Sequence, residues 1–217
     1  MIVKAKAPKL LGNLPLLMEL DLLGTHADRA YPILASLVTP RPIAWVSTTH
    51  DDGSANLAPF SFFNVFGADP PLVAFAPGNR PDGNPKDTAR NLARTGEFVV
   101  NLVSPELAES MVQTAASLPP GESEPDRLGL AMLPGSCVAA PRVAAAPAAL
   151  ECKVHSIQQI GSNRLVLGIV HLAHIREEII DPATLRIVQE KHTPVGRMAS
   201  PNWYCTTDAL FEIERPA

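Results

Sequence analysis

The sequence predicts a mainly β protein, an antiparallel β-barrel with inserted helices. About seven or eight segments have the composition of strands, and about two or three have that of helices. The two kinds do not alternate regularly, which argues against a doubly wound parallel sheet. Closure into a barrel would remove exposed strand edges. With 217 residues and 46% hydrophobic content, the chain can bury such a core without disulfides or metals.

The chain is expected to divide into an N-terminal arm, residues 1–30, and a main domain, residues 31–217. Six leucines of the arm need a partner surface, either on the protein's own barrel or on a second subunit. Tyr31 to Val38 then has the composition of a first strand, which Pro40 would end.

The stretch of residues 41–75 is predicted to hold a ligand. Ile43 to Thr48 has strand character, and the turn that follows contains Gly53, which is free to adopt positive φ, so a hairpin is expected. In the second strand, residues 56–61, Pro59 cannot donate to a ladder, so this strand must lie at an edge or bulge outwards. A bulge would free backbone groups for a ligand.

Side chains of the same strand suit a flavin. Asn56 and Ser61 supply an amide and a hydroxyl, while Phe60, Phe62 and Phe63 supply flat apolar surface. By strand alternation at least one of these phenylalanines must belong to the core, and we expect it to be Phe62 or Phe63.

Two helices have readable ends. The first carries a predicted N-cap at Asn84, proline at the next position and Gly96 at the C-terminal stop. The second is predicted for residues 105–118, after a strand at 98–103. Further strands are predicted for residues 72–76, 150–157, 164–175, 186–189 and 209–214, with residues 119–147 largely irregular.

Composition limits the classes of partner and compartment. The net charge is −4 and the basic residues are scattered, which argues against nucleic-acid or anionic-membrane binding. Three cysteines without a C-x-x-C pattern indicate a reducing compartment. No uncharged apolar run approaches the roughly 20 residues that a membrane span needs. A soluble, cytoplasmic protein is therefore expected.

Five motifs in the same order resemble the flavin reductase-like FMN-binding split-barrel family. Weaker similarity continues around Arg142, Glu151 and Gly168, so the resemblance covers roughly residues 31–204. It implies a six-stranded split barrel of Greek-key type with capping helices, usually a homodimer, with FMN held noncovalently near the subunit interface. The motifs are RPIAWVST at 41–48, NLAPFSFFN at 56–64, DPP at 69–71, KDTARN at 86–91 and GEFVVN at 96–101.

The resemblance also assigns candidate residues to parts of FMN. Phosphate would lie at a helix N-terminus with Lys86, Asp87 and Thr88, although the same residues also fit an ordinary capped surface helix. Arg41, Ser47 and Thr48 are further candidates for the phosphate or ribityl groups, with turn solvation and strand capping as alternatives. The flavin ring is assigned to Asn56, Ala58, Pro59, Phe60 and Ser61.

No residue is assigned a catalytic role, because the chemistry would occur at flavin N5. His192 and Arg197 are possible contacts for substrate, with a solvated loop as the alternative. His171 and His174 lie three apart in a predicted strand and so face opposite sides, which argues against a metal site. The sequence contains neither G-x-S-x-G nor G-x-G-x-x-G, so neither serine hydrolysis nor a Rossmann site is expected.

Two functions from different classes follow. The first is an FMN-dependent flavin reductase, in which NADH or NADPH delivers hydride to bound flavin and electrons pass onward. The alternative is a flavoredoxin-like electron carrier that exchanges electrons with a redox protein partner and does not oxidise NAD(P)H. The family often has an Arg-Leu-Gly-Gly stretch late in the chain, whereas Arg197 here is followed by bulkier residues up to Trp203, which favours the alternative. A split-barrel protein that has lost flavin is a third possibility.

Overall fold

The structure is a computed structural model that describes residues 17–80, 82–214 and 216. Its helices are α1 (Ala30–Leu37), α2 (Asp87–Thr95), α3 (Ala108–Gln113) and α4 (Glu124–Leu128). Its strands are β1 (Arg41–Pro42), β2 (Ala44–Thr49), β3 (Ala55–Phe60), β4 (Phe63–Ala68), β5 (Pro71–Phe75), β6 (Glu97–Asn101), β7 (Met132–Leu133), β8 (Arg142–Val143), β9 (Ala148–Ile160), β10 (Asn163–Ile175), β11 (Ile180–Asp181), β12 (Arg186–Ile187), β13 (Gly196–Arg197) and β14 (Tyr204–Cys205). Short 3₁₀ helices cover Ala27–Arg29, Pro105–Leu107, Glu177–Ile179 and Gln189–Lys191.

A seven-stranded antiparallel sheet in the order β3-β2-β6-β9-β10-β5-β4 dominates the architecture. Its two edge strands, β3 and β4, are consecutive in the chain and are joined only by Ser61 and Phe62. A connection this short requires the sheet to curl until its edges approach each other. The mainly antiparallel β class is thereby confirmed. The sheet has seven strands where the resemblance implies six, and β3 and β4 share no ladder among the described residues, so the barrel is not closed.

The curled sheet encloses one apolar core and carries a second on its outer side. Val46, Phe75 and Phe98 belong to the inner cluster, and the Phe75 and Phe98 rings lie 5.3 Å apart. Trp45, the neighbour of Val46 on β2, belongs to the outer cluster together with Met111 of α3. Because successive side chains of a strand alternate between faces, these contacts bury β2 on both sides.

The second strand of the predicted hairpin is an edge strand without a bulge. Gly53 has φ +87° in the turn, as expected, and β3 pairs with β2 in regular register from Ala55 to Phe60. The N–H of Leu57 points away from β2, because it donates to Glu124. Pro59 lies two residues further on, so its missing N–H falls on the same open side of the strand. The edge alternative was correct, and the predicted bulge was wrong.

The ends of the two predicted helices are partly as expected. Gly96 ends α2 in the left-handed conformation with φ +65°, which confirms the C-terminal stop. The N-cap is Lys86 rather than Asn84, because Asn84 lies in a turn where its backbone and side chain both bond Asp82. The second helical segment begins after Ser104, as predicted, but α3 ends at Gln113 instead of extending to residue 118.

The two ends of the chain differ most from the sequence prediction. The segment expected as a first strand forms helix α1, with Pro32 in the first turn where its missing N–H costs no hydrogen bond. Residues 209–214 form no strand. Of the proposed arm, residues 1–16 lie outside the described residues. Leu17 and Leu23 are exposed and so do not pack on the protein's own barrel, and packing on a second subunit stays a prediction.

None of the helices in the described part of the chain is long and apolar enough to cross a membrane.

Gly168 on β10 lies where a side chain has no room. A Cβ atom there would approach Cζ of Phe98 to 2.3 Å, and Phe98 is fully buried in the inner cluster. We expect Gly168→Ala to reduce the free energy of unfolding by about 1–3 kcal/mol through overpacking. Urea unfolding followed by circular dichroism would measure the loss.

Gly78→Ala is the matched control, because its nearest contact would be an ordinary 3.5 Å to Asn163. When Phe98→Leu is combined with Gly168→Ala, the loss of unfolding free energy caused by Gly168→Ala should be smaller. Equal unfolding midpoints for Gly168→Ala and Gly78→Ala would contradict the packing argument.

Candidate functional site

A cleft lies between the open edge of β3, the start of α2 and the chain that follows α3. It contains about 550 Å³ of empty space, part of which is open to solvent. Residues that the sequence did not single out also line it: Arg80, residues 114–118 and Glu124. The cleft brings together seven of the predicted cofactor residues, namely Asn56, Ala58, Pro59, Phe60, Lys86, Asp87 and Thr88.

The start of α2 carries a carboxylate that two arginines neutralise. Asp87 is buried, accepts a hydrogen bond from Arg80 Nη2 at 2.6 Å, and forms a second ion pair with Arg90. Arg80 also donates from Nη1 to the carbonyl of Leu118 at 3.2 Å, while its buried Nε has no acceptor among the described residues. Asp87 therefore does not cancel the positive end of the helix, and Lys86 adds an exposed charge beside it.

Buried hydroxyls and amides form the floor of the cleft. Asn56 donates from Nδ2 to Thr88 Oγ1 at 3.0 Å and to Thr48 Oγ1 at 3.1 Å. Thr48 is fully buried and does not line the cleft. Thr88 does line it, at the second residue of α2. Thr48 thus supports the floor, whereas Thr88 is available to a ligand.

Glu124 at the start of α4 is the second carboxylate in the cleft. It is buried and accepts a hydrogen bond from the N–H of Leu57 at 2.9 Å. Burial raises its pKa above the usual value for glutamate, and the Leu57 N–H opposes this rise. Ser123 caps α4 by accepting from the N–H of Asp126, and proline follows Glu124 in the first turn. This serine and proline were a helix-start signal inside the segment expected to be irregular.

The apolar wall of the cleft comes from Ala58, Pro59 and Phe60. Phe60 is also a core residue, with its ring 5.2 Å from that of Phe75. Phe63 packs against the same core, whereas Phe62 is exposed. The core phenylalanine of this stretch is therefore Phe60. The expectation that it would be Phe62 or Phe63 was wrong for Phe62, and Phe63 is only partly buried against the core.

Arg41 and Ser61 lie together outside the cleft. Arg41 donates from Nε to Ser61 Oγ at 3.3 Å, from Nη1 to the carbonyls of Ala35 and Val38, and from Nη2 to that of Met198 at 3.1 Å. Arg41 thus connects the end of α1 to the β3–β4 connection and to the residue after β13, and it does not line the cleft. The structure does not bring these two predicted residues to the cleft.

Ser47 also lies outside the cleft. Its hydroxyl donates to the carbonyl of Pro141 and accepts from Asn101 Nδ2 at 3.2 Å, on the face of β2 opposite Thr48. Two adjacent hydroxyls on one strand point to opposite faces, so at most one of them can serve the cleft.

His192 and Arg197 are not neighbours in a common site. His192 lines a separate cavity with Arg176 and Lys191, and burial lowers its pKa. Arg197 of β13 lies opposite Arg41 of β1 in the register of the two strands. Its guanidinium carbon is 4.5 Å from the centre of the Tyr204 ring. Neither residue lines the cleft.

Comparison with known proteins identifies the family. The family model of the flavin reductase like domain matches residues 36–193 of the sequence. The chain belongs to the flavin reductase-like family. A protein of Deinococcus radiodurans is 42% identical over 200 residues, which cover 90% of this chain and 88% of that protein.

Two solved structures support the same assignment. Pseudomonas fluorescens 2-nitrobenzoate 2-nitroreductase NbaA has a TM-score of 0.83 at 33% identity, covering 92% of this chain and 96% of that chain. Nitrilotriacetate monooxygenase component B from Bacillus cereus has a TM-score of 0.86 at 29% identity, covering 92% of this chain and all of that chain. The predicted split-barrel fold and family are both confirmed.

A second polar cluster in this flavin reductase-like chain has the residue types of a cysteine nucleophile site. Glu151 is 0% exposed and lies 2.6 Å from His174 Nε2, and it accepts from the N–H groups of Ser136 and Cys137 at 2.7 and 2.6 Å. A hydrogen bond to Glu151 raises the pKa of Cys137, as does burial, so the thiolate is disfavoured. The cluster therefore anchors a loop. Among the described residues, no group of three or more His, Cys, Asp or Glu side chains is placed to hold a metal ion.

Glu151 should make the stability of the protein depend on acid pH. Burial raises its pKa, but hydrogen bonds from Cys137, His174 and backbone N–H groups outweigh this and lower the pKa to about 2 from 4.5. A carboxylate with a depressed pKa stabilises the fold above pH 4.5, and this contribution is lost as the pH falls towards 2. At neutral pH the contribution is about 3 kcal/mol.

We expect Glu151→Gln to be less stable than the wild type at pH 7, and the difference to narrow between pH 4.5 and 2. The exposed Glu178→Gln is the control and should show no such convergence. Urea unfolding at several pH values measures both differences. If the difference in unfolding free energy between wild type and Glu151→Gln is independent of pH, this explanation is wrong.

Proposed function

We propose that the protein binds FMN in the cleft and acts as an NAD(P)H-dependent flavin reductase-like oxidoreductase. Membership of the flavin reductase-like family supports the flavin, and the cleft supports the particular residues. The observation that carries the proposal is the position of Thr88 and Lys86 at a helix N-terminus, directly opposite an apolar strand edge.

The polar side of the cleft fits a phosphate group. Helix α2 has nine residues, and the first N–H groups of a helix have no partners within it. These groups, the Thr88 hydroxyl and the Lys86 ammonium are all donors, and so is Nε of Arg80, which has no acceptor within the described part of the chain. The neutralisation of Asp87 by Arg80 and Arg90 removes the main repulsion that a phosphate would meet at the helix start.

The remaining walls fit the rest of a flavin. Ala58, Pro59 and Phe60 provide apolar surface, and the open edge of β3 provides backbone groups. Glu124 already occupies the outward N–H of Leu57, so a ligand would use backbone groups beyond it. Ser61 and Arg41 would act indirectly, by holding the connection between β3 and β4.

Bound flavin would supply the hydride and electron chemistry. The protein's own residues would anchor the phosphate, orient the ring and exclude water from one of its faces. The sequence has no G-x-G-x-x-G motif, so NADH or NADPH would approach from the open side of the cleft rather than occupy a Rossmann site.

We also propose a homodimer. Val65 and Phe66 of β4 and Ile160 at the end of β9 are exposed large apolar residues. Apolar surface of this kind is typical of a protein interface.

Charge reversal at Lys86 tests the phosphate site. We expect Lys86→Glu to weaken FMN binding at least about tenfold, since a hydrogen bond to a charged group contributes about 1.5–3 kcal/mol. Riboflavin lacks the phosphate and should bind with unchanged affinity. Quenching of flavin fluorescence on titration with protein gives both dissociation constants.

Lys191→Glu makes the same change of charge outside the cleft and should leave FMN affinity unaltered. If Lys86→Glu weakens FMN and riboflavin equally, or weakens neither, the phosphate does not lie at α2.

Consumption of NADH and NADPH in the presence of FMN separates the reductase from the electron carrier. Turnover with either dinucleotide supports the reductase, and bound FMN without turnover selects the flavoredoxin-like alternative. 2-Nitrobenzoate is a useful added acceptor, because the Pseudomonas fluorescens structure at 33% identity is a 2-nitrobenzoate 2-nitroreductase.

A further inference from the structure

A buried chain of hydrogen bonds runs beneath the cleft and ends at Thr88. Its members are His50, Asn91, Thr48, Asn56 and Thr88, and each of them is at most 6% exposed. They come from β2, β3, α2 and the turn after β2, so this series of hydrogen bonds joins the helix start to the sheet. Only Asn56 and Thr88 also line the cleft.

In this series of hydrogen bonds, the donor and the acceptor of each bond can be assigned. Asn91 donates from Nδ2 to Thr48 Oγ1 at 3.0 Å, and the same nitrogen lies 3.4 Å from Nδ1 of His50. Asn56 donates its two amide hydrogens, one to Thr48 Oγ1 at 3.1 Å and one to Thr88 Oγ1 at 3.0 Å. Thr48 therefore accepts from both sides, and Thr88 accepts from Asn56.

His50 orients the amide of Asn91 at the far end. Burial lowers its pKa, and the charges of Arg90 and Arg94 act in the same sense, against a backbone hydrogen bond at Glu122 and the charge of Asp52. The neutral ring has a lone pair at one nitrogen, and Nδ1 with that lone pair can accept from Asn91. The amide nitrogen of Asn91 is then held towards His50 and Thr48.

The hydrogen bond from Asn56 decides whether the Thr88 hydroxyl can donate to a ligand. A threonine hydroxyl has one hydrogen to donate and lone pairs that accept. The bond from Asn56 occupies the acceptor side of Thr88, and Thr88 makes no donor hydrogen bond within the described residues. Its hydrogen is therefore left for the cleft, where an anion accepts it.

We propose that Asn56 is a positioning residue, braced by Thr48 and Asn91, which turns the Thr88 hydroxyl hydrogen towards the anionic group of the ligand. This inference rests on the proposed function, because the anionic group is the phosphate of FMN. It gives Asn56 a role distinct from direct contact with the flavin ring. The amide acts through Thr88, and its orientation favours phosphorylated over unphosphorylated flavin.

Asn56→Asp reverses the polarity at nearly constant shape. A carboxylate accepts and does not donate, so the Thr88 hydroxyl would turn inwards and donate to it. We expect FMN to bind about tenfold more weakly while riboflavin binds as before, in line with the loss of one hydrogen bond to a charged group. Flavin fluorescence quenching with the full chain measures both affinities, and riboflavin binding reports that the variant is folded.

A double-mutant cycle separates orientation from simple charge repulsion, because coupled residues show non-additive effects. Thr88→Val removes the hydroxyl and keeps the shape. In the T88V background, N56D should weaken FMN less than about threefold, since no hydroxyl remains to be turned. An equal loss in both backgrounds would show that the new charge acts alone and would overturn the proposal.

Asn91→Asp is the matched control for a buried negative charge. Thr48 can donate to the new carboxylate while Asn56 continues to donate to Thr88, so FMN affinity should fall less than in N56D. If N56D does not fold, Asn56→Ala in the same cycle should weaken FMN about threefold with Thr88 present and not at all in the T88V background.

The outcomes distinguish this inference from the function on which it rests. A wild-type protein that binds FMN no more tightly than riboflavin overturns both. A wild-type protein that prefers FMN, together with additive effects of N56D and T88V, overturns the positioning role of Asn56 alone.

Discussion

The unpaired outer edge of β3 is the constraint on which the cleft depends. An edge strand has outward N–H and C=O groups that need partners other than a neighbouring strand. Here the N–H of Leu57 donates to the buried carboxylate of Glu124, and Pro59 has no N–H that needs an acceptor. Helix α4 covers only part of the edge, so the rest stays open beside α2. The short connection through Ser61 and Phe62 keeps the edge in place, because it ties β3 to the opposite side of the same sheet.

Charge in the cleft is arranged so that a helix start remains attractive to anions. A carboxylate in the first turn ordinarily offsets the positive end of a helix. Arg80 and Arg90 both pair with Asp87, so this carboxylate does not compete with a ligand for the helix N–H groups and Lys86. Glu124, the other carboxylate that lines the cleft, has a pKa raised by burial and accepts the N–H of Leu57.

The motif residues divide into those that face the cleft and those that hold it together. Thr88 and Lys86 face it, whereas Thr48 and Asn91 lie beneath it and bond one another. Arg41 donates to the nearby carbonyls of Ala35 and Val38 and to the distant carbonyl of Met198. The family motifs therefore include residues that support the cleft as well as residues that line it.

The sequence by itself determined the β class, the hairpin with Gly53 and the stop of α2 at Gly96, since these follow from local turn chemistry and strand periodicity. Seven of the fourteen residues that line the cleft were assigned through the family resemblance. Tertiary structure alone decided that Arg41, Ser47 and Ser61 lie away from the cleft, and that Arg80 and Glu124 line it. The helix α1 in place of a strand was decided in the same way, because an apolar segment becomes a strand only where a neighbouring strand is free to pair with it. Side-chain direction and pairing across long sequence separations are set by packing, which no local pattern encodes.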